Sequence, residues 1–120
     1  KPEALVEALE AFPDCDFVQL QINYLDWNNA SIESKKCYEI ATEYNKPVIV
    51  MEPVKGGKLA KFCDDVEKVF KDYDEEASIA SWALRWVGSL PGVKVILSGM
   101  NEVRHIINNR KTIEIPFVMI

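Results

Sequence analysis

The residues best suited to hold an anion follow a short apolar run in the stretch PGVKVILSGMNEVRHIINN, residues 91–109. Residues 93–97 are rich in β-branched side chains, which is typical of a strand buried on both faces of a parallel sheet. Ser98 and Gly99 end this run, and Asn101 is a predicted N-cap for the helix that follows. The free N–H groups and the positive dipole end of such a helix bind phosphate well. The stretch therefore predicts a phosphate site, while an ordinary β-α turn that uses a glycine for tightness explains it equally well.

Two further stretches place polar or flexible residues at the end of a predicted strand. In residues 17–23 (FVQLQIN) polar and apolar side chains alternate, so that Gln19 and Gln21 lie on the same face. The apolar run at residues 48–51 leads into EPVKGG at 52–57, where two glycines permit positive φ and a close backbone approach to a ligand. The amides either hold a polar ligand or form a solvated edge, and the glycine loop either binds a ligand or is simply flexible.

Helical periodicity surrounds these strands and predicts the elements that position them. An alternation of short apolar strands with helices indicates right-handed βαβ crossovers and a parallel sheet. Residues 112–120 (TIEIPFVMI) are apolar and β-prone, but Pro116 argues against a central strand, and we assign this tail no structure. The predicted helices cover residues 2–12, 31–44 with Ser31 as N-cap, 58–73, 74–88 and a last segment from Asn101 onward.

Composition argues for a globular protein of one domain or part of one. The 120 residues are 48% hydrophobic and 28% charged. A net charge of −5 argues against a nucleic-acid partner. No apolar run approaches the ~20 residues that cross a membrane, and no signal peptide opens the sequence. We therefore expect a cytoplasmic protein with neither a membrane nor a nucleic acid as partner.

The residue types reveal no catalytic or metal-binding constellation. Cys15, Cys37 and Cys63 are widely separated and form no C-x-x-C motif, which predicts free cytosolic thiols rather than a zinc or iron–sulfur site. The single histidine, His105, follows a basic residue on a predicted helix and is expected at the surface or against a ligand rather than as a general base. The sequence also lacks the G-x-S-x-G nucleophile motif and the G-x-x-x-x-G-K-[ST] phosphate loop.

Three segments, in this order and spacing, resemble the aldo-keto reductase family. They are FVQLQINYLDW at residues 17–27, VIVMEPVKGGKL at 48–59, and ILSGMNEVRHIINN at 96–109, preceded by the helix ASIASWALRWV at 77–87. In that family these segments are the sixth, seventh and eighth strands of a (β/α)8 barrel with their loops. The resemblance covers residues 1–109 and ends before the tail. It is closest to a bacterial branch whose members often carry a C-terminal iron–sulfur module, which this sequence lacks.

The resemblance implies contacts with a nicotinamide ring. Gln21, or Gln19 if the strand register is shifted, matches the amide that hydrogen-bonds the nicotinamide carboxamide. Met51 falls where many members have an aromatic residue that stacks on the ring, and methionine offers a sulfur–π contact instead.

The resemblance also implies contacts with the rest of the cofactor. The implied cofactor is NADP, and NAD is the alternative because Gly99 stands where some members have a lysine. The family's loop over the pyrophosphate is matched by Glu52, Pro53, Val54 and Gly56. Its loop that holds the adenosine phosphate is matched by Ser98, Gly99, Met100 and Asn101. Its helix that contacts phosphate and adenine is matched by His105, Asn108 and Asn109, and Arg104 lies one residue from the family's basic position.

No catalytic residue of the family matches a position in this sequence. In the family the catalytic Tyr, Lys, Asp and His come from the first four strands, and a complete barrel needs ~250 residues. We therefore expect residues 1–111 to be the C-terminal half of an NADP(H)-dependent reductase of aldehydes and ketones, inactive alone. Two alternatives stay open: a non-catalytic nucleotide-binding or regulatory module of the same fold, and an unrelated small α/β ligand-binding domain. The open edges of three strands predict self-association, with residues 112–120 as a candidate edge strand.

Overall fold

The computed structural model describes residues 1–114, which form a three-stranded sheet covered by helices on one face. The strands are parallel and lie in the order in which they occur in the sequence. The prediction of parallel strands joined by helical crossovers is therefore confirmed. The elements are α1 (Pro2–Ala11), β1 (Val18–Gln21), α2 (Ser34–Glu43), β2 (Val48–Met51), α3 (Asp64–Tyr73), α4 (Ile79–Gly88), β3 (Val93–Ile96) and α5 (Val103–Glu114).

The core lies between the helices and alternate residues of the strands. Val48 and Val50 of β2 are 1% and 0% exposed, and they pack with Ala41 of α2 and Val87 of α4. Burying one such valine contributes about 1.5–3 kcal/mol. Successive side chains of a strand point to opposite faces. The side chains on the other face are partly or largely exposed, so among residues 1–114 no helix layer covers it. On this open face Met51 remains 36% exposed.

A β-bulge keeps the apolar residues of β3 on the core side. Val48 pairs with Val93 but Ile49 pairs with Val95, so Lys94 is the extra residue. Val93 and Ile96 consequently both pack against the core. Val95 and Leu97 lie on the open face, 44% and 42% exposed. The prediction that residues 93–97 are buried on both faces is therefore wrong.

Helix α2 begins three residues later than predicted. The side chain of Asn29 accepts the backbone N–H groups of Ser31 and Ile32, at 2.8 and 3.2 Å, and holds them in a turn. The chain then enters α2 through Glu33, whose φ of 58° lies in the left-handed region. Ser31 is therefore not the N-cap of this helix.

Helices α3 and α4 are shorter than predicted. The chain makes turns between residues 52 and 60, so α3 begins at Asp64 rather than near residue 58. Helix α4 begins at Ile79 rather than at residue 74. Its N-cap is Ser78, whose hydroxyl accepts the N–H of Ser81 at 3.2 Å. A serine cap of this kind is worth about 1 kcal/mol.

Helix α5 starts later than predicted. It begins at Val103, and the Glu102 carbonyl accepts the N–H groups of His105 and Ile106 at 3.0 and 3.4 Å, so Asn101 lies before the helix. The helix continues to Glu114, and Thr112 is buried with its hydroxyl donating to the carbonyl of Asn108 at 2.8 Å. Residues 112–114, which the sequence analysis left without an assigned structure, are therefore helical and are not part of an edge strand. Residues 115–120 of the predicted tail lie outside the described residues.

The helices among residues 1–114 are short relative to a bilayer, which a helix of ~20 residues crosses. The longest, α5, has 12 residues. None combines the length and apolar character that crossing a membrane would require.

Candidate functional site

A cleft of about 1050 Å³ opens at the carboxyl ends of β2 and β3. The 52–57 loop after β2, the turn after β3, the start of α4 and the first turns of α5 form its walls. Three predicted contact residues, Gln19, Gln21 and Asn101, do not line it. The predicted residues that line it are Met51, Glu52, Pro53, Val54, Gly56, Ser98, Gly99, Met100, Arg104, His105, Asn108 and Asn109.

The 52–57 loop runs along the cleft in a backbone conformation that glycine adopts most easily. The φ angles of Gly56 and Gly57 are 59° and 87°, but Glu52 and Lys55 also have positive values, 58° and 50°. A non-glycine residue in this region costs about 1–3 kcal/mol and persists only where its surroundings hold it. One such hold is the turn bond from the Lys55 N–H to the Glu52 carbonyl, at 3.1 Å.

A buried carboxylate that the sequence patterns did not reveal holds this loop from the neighbouring strand. Asp26, which follows β1, is 1% exposed and forms a salt bridge with the Nζ of Lys55. Its Oδ2 accepts hydrogen bonds from the amides of Gln21 at 3.2 Å and Asn23 at 3.0 Å. The fully buried Asn23 also donates to the carbonyl of Glu52 at 3.2 Å and accepts the N–H of Asp26 at 2.9 Å.

The pKa of Asp26 lies below the ordinary value for a carboxyl group. Burial by itself would raise the pKa, but the hydrogen bonds from Lys55, Asn23 and Gln21 and the charge of Lys55 outweigh it. Asp26 is therefore ionised at neutral pH. Its local sequence signal was limited to an acidic residue three positions beyond Asn23, in a turn after a predicted strand.

The two predicted glutamines occupy different environments on the same face of β1. Gln19 is exposed on the open face, and its Nε2 donates to the sulfur of Met51 at 3.3 Å. Gln21 is partly buried, and its Nε2 donates to Asp26. The predicted alternation is confirmed along β1. Gln21 is the strand partner of Met51, but the amide that hydrogen-bonds the Met51 sulfur is that of Gln19.

Two asparagines of α5 connect the walls at the other end of the cleft. Asn109 donates to the hydroxyl of Ser98, in the turn after β3, at 2.9 Å. Asn108 accepts the hydroxyl of Ser78, the N-cap of α4, at 2.7 Å. Both bonds join α5 to segments that line the same cleft, so these asparagines fix its position there.

The cations of the cleft lie on α5 and in the segment before α3. Arg104 pairs with Glu102 through two hydrogen bonds, Nε to Oε2 at 2.5 Å and Nη2 to Oε1 at 3.2 Å. This pairing lowers the pKa of Glu102. His105 and Lys61 also line the cleft, and Lys61 was not predicted. The cleft therefore offers donors for an anion, one of which already has an acidic partner.

Tyr24, the tyrosine nearest the carboxyl end of a strand, does not line the cleft. Its ring packs edge-on against Trp86 of α4, with 6.4 Å between centroids. Its hydroxyl is buried without a hydrogen-bond partner within residues 1–114, and burial raises its pKa. A tyrosine in this environment is a weaker acid than a free one, so Tyr24 is not poised to donate a proton.

The cysteines and acidic residues of the described chain form no centre of their own. Cys15, Cys37 and Cys63 are free thiols. Across residues 1–114, no three His, Cys, Asp or Glu side chains are grouped so as to hold a metal ion.

Nearly the whole chain matches a known protein family. Residues 2–119 match the family model described as Aldo/keto reductase family. The match continues to residue 119, so the prediction that the resemblance ends at residue 109 is wrong. Among curated proteins, none matches the chain.

Proposed function

The chain belongs to the aldo-keto reductase family of oxidoreductases, and from that premise we propose that its cleft is part of a binding site for NADP(H). Members of the family share a (β/α)8 barrel and generally use nicotinamide cofactors. The observation that carries the proposal is the cleft of about 1050 Å³, where the loop after β2, the turn after β3 and α5 meet. Barrels and open α/β sheets bind their ligands at the carboxyl ends of the strands. The volume also suits a ligand larger than a typical drug.

The residues of the cleft fit the diphosphate and adenosine parts of such a cofactor. Gly56 and Gly57 have positive φ and let the backbone approach closely. Arg104 and His105 supply donors for a phosphate. We assign the pyrophosphate to the loop of Glu52, Pro53, Val54 and Gly56. We assign the adenosine phosphate to Ser98, Gly99 and Met100, with Asn101 next to them but outside the cleft lining. We assign the phosphate and adenine contacts of α5 to Arg104, His105, Asn108 and Asn109.

We propose that the nicotinamide end lies beside Gln19 and Met51. The amide of Gln19 is exposed and contacts the Met51 sulfur, whereas the amide nitrogen of Gln21 is already engaged with Asp26. When bound, the cofactor supplies the hydride. Gln19 would orient the carboxamide, and Met51 would contact the ring through its sulfur.

For the complete barrel we propose the reduction of an aldehyde or a ketone. Such a reduction needs an acid to protonate the oxygen of the substrate. Tyr24 is turned toward Trp86, so we propose that the acid comes from the strands that complete the barrel beyond the three described here. The free thiols support a reducing compartment, the cytoplasm. The family match removes the alternative of an unrelated α/β domain, and a non-catalytic module of the same fold remains the second candidate.

The experiment that tests this proposal is a fluorescence titration of the chain with NADPH and, in parallel, with NADH. We expect saturable binding, tighter for NADPH. Asn109→Ala removes the bond between α5 and Ser98 and is expected to weaken binding. Asn28→Ala, at an exposed position outside the cleft, is the matched control and is expected to leave it unchanged. If neither nucleotide binds the wild-type chain, the proposed function is wrong.

A further inference from the structure

We propose that Asp26 is a positioning residue that sets the conformation of the 52–57 loop and thereby controls cofactor affinity without touching the cofactor. Asp26 does not line the cleft, whereas the loop that it holds does. The identity of the ligand rests on the proposed function. The dependence of the loop on Asp26 does not, and it can be measured in the absence of any ligand.

The loop needs an external hold because two of its non-glycine residues are in the left-handed region. These are Glu52, with a φ of 58°, and Lys55, with a φ of 50°. Local hydrogen bonds to the carbonyls of the loop, such as those from Lys55 N–H to Glu52 at 3.1 Å and from Leu59 N–H to Val54 at 3.0 Å, close its turns but do not join it to the strands. A conformation of this kind persists only when neighbouring groups determine it.

Both strained residues form hydrogen bonds with the segment that follows β1, and both of these contacts involve Asp26 directly or through Asn23. The side chain of Lys55 is paired directly with the Asp26 carboxylate. The carbonyl of Glu52 accepts the amide of Asn23, and the same amide nitrogen donates to Asp26 at 3.0 Å. The orientation of Asn23 is fixed further by the Asp26 N–H, which its Oδ1 accepts at 2.9 Å. Removing the charge of Asp26 would therefore loosen both ends of the turn.

The two side chains of the Asp26–Lys55 ion pair differ in their exposure to solvent, and this difference decides the choice of variants. The Asp26 side chain is 1% exposed and the Lys55 side chain 26%. Removing one partner of a buried pair leaves the other without compensation, whereas removing both is better tolerated. Asp26→Asn, Lys55→Met and the double variant therefore form a double-mutant cycle. Asp72→Asn is the matched control, because Asp72 pairs with Lys68 on the surface of α3 and neither residue lines the cleft.

The first readout is hydrogen–deuterium exchange without cofactor. The amides of Lys58, Leu59 and Ala60 bond to carbonyls inside the loop and report its closure. We expect faster exchange there in Asp26→Asn and in Lys55→Met, with β2 and α4 unchanged, and no effect of Asp72→Asn. A purely structural defect would instead raise exchange across the sheet. Should a single variant not fold, the double variant carries the same test, because it leaves neither charge of the pair unpaired and is still expected to exchange faster in the loop than the wild type.

The second readout is the NADPH titration of the same variants. We expect each single variant to bind about tenfold more weakly, as for a group that acts on a ligand through an intervening loop. The double variant is expected to lose less than the product of the two single losses. Unchanged loop exchange in both single variants would overturn the role of Asp26, whatever binds. Loosened loops with full NADPH affinity would overturn its control of the cofactor. If the variants exchange faster in the loop but the wild type binds no nucleotide, the role of Asp26 in holding the loop stands and only the proposed function is refuted.

Discussion

Asp26 is a buried carboxylate whose charge depends on the fold. It is 1% exposed, and Lys55, Asn23 and Gln21 together hold its pKa below the ordinary value. Because the folded-state pKa is the lower one, the stabilisation is complete above the unfolded-state pKa near 4 and is lost as the pH falls through the folded-state pKa. We expect the melting temperature of the wild type to fall more steeply below about pH 4 than that of Asp26→Asn.

Thermal melts followed by circular dichroism across this pH range measure the difference. Asp72→Asn removes a carboxylate that is 63% exposed and is expected to follow the wild-type curve. The other shifted carboxyl groups, Glu33 and Glu102, are present in every variant, so the difference reports Asp26. Parallel curves for wild type and Asp26→Asn would contradict the ionised, hydrogen-bonded state described above.

The availability of Arg104 to a ligand in the cleft depends on its neighbour Glu102. Glu102 holds it through two hydrogen bonds. In Glu102→Gln the guanidinium loses its charged partner and becomes free to meet a 2′-phosphate. We expect the preference for NADPH over NADH to rise by up to about fivefold, since exposed ion pairs are worth roughly 0.2–1 kcal/mol.

The ratio of the two dissociation constants measures this preference. Glu114→Gln is the matched control, because it frees Arg110 in the same helix at a position that does not line the cleft. An unchanged ratio in Glu102→Gln would show that Arg104 does not face the 2′ position.

The residues of the candidate site could be predicted to the extent that they follow from local pattern. Alternation along β1 predicts that Gln19 and Gln21 share a face. Asp26 could not be found in this way, because its partner Lys55 lies 29 positions away and the two meet only when β1 and β2 pair. In the folded chain the Gln21 amide is hydrogen-bonded to Asp26, while Gln19 is exposed on the open face.

Helix α4 is the element whose start ties two walls of the cleft together. The hydroxyl of Ser78 caps α4 and donates to Asn108 of α5. We expect Ser78→Ala to destabilise the chain by about 1 kcal/mol or more, the usual cost of losing a cap. Ser89→Ala, at the other end of α4, is expected to cost less, because the Trp86 carbonyl that its hydroxyl meets also accepts a backbone N–H at 3.2 Å. Equal denaturant midpoints for the two variants would contradict this role of Ser78.

The elements themselves were predictable, whereas their ends were not. Apolar periodicity indicated all three strands and the helices between them. The start of α2 depends on Asn29, which captures two backbone N–H groups before the helix can begin. The two faces of β3 depend on the bulge at Lys94, which a strict period of two cannot anticipate. Such ends are set by single side chains and by strand pairing rather than by the average composition of a segment.

The open face of the sheet is the feature of the whole molecule that predicts association. Phe17, Met51, Val95 and Leu97 are 51%, 36%, 44% and 42% exposed there. The outer edges of β1 and β3 have no strand partner among residues 1–114. Exposed edges and apolar patches favour association. We expect the chain to form dimers or larger species at micromolar concentrations, measured by light scattering.

A substitution on the open face distinguishes association through this face from non-specific association. Leu97→Glu is expected to shift the chain toward the monomer. Val69→Glu changes an apolar residue of α3 that is 69% exposed, and it is expected to leave the association unchanged. A monomeric wild type with a cooperative melt would contradict the prediction.

The proposed separation of the cofactor contacts from the proton donor predicts binding without turnover. Hydride transfer to a carbonyl needs an acid at the developing alkoxide, and general acid catalysis contributes roughly 10²–10⁴-fold. The nearest tyrosine, Tyr24, has a raised pKa and a ring packed on Trp86. We therefore expect no measurable oxidation of NADPH with a panel of aldehydes, followed by the absorbance of the reduced cofactor. Supplying the complementary strands of a family barrel as a second polypeptide is expected to restore some turnover, because the edges of β1 and β3 are open to pair. Tyr24→Phe should change neither result, and steady turnover by this chain that Tyr24→Phe abolishes would show that Tyr24 is the acid after all.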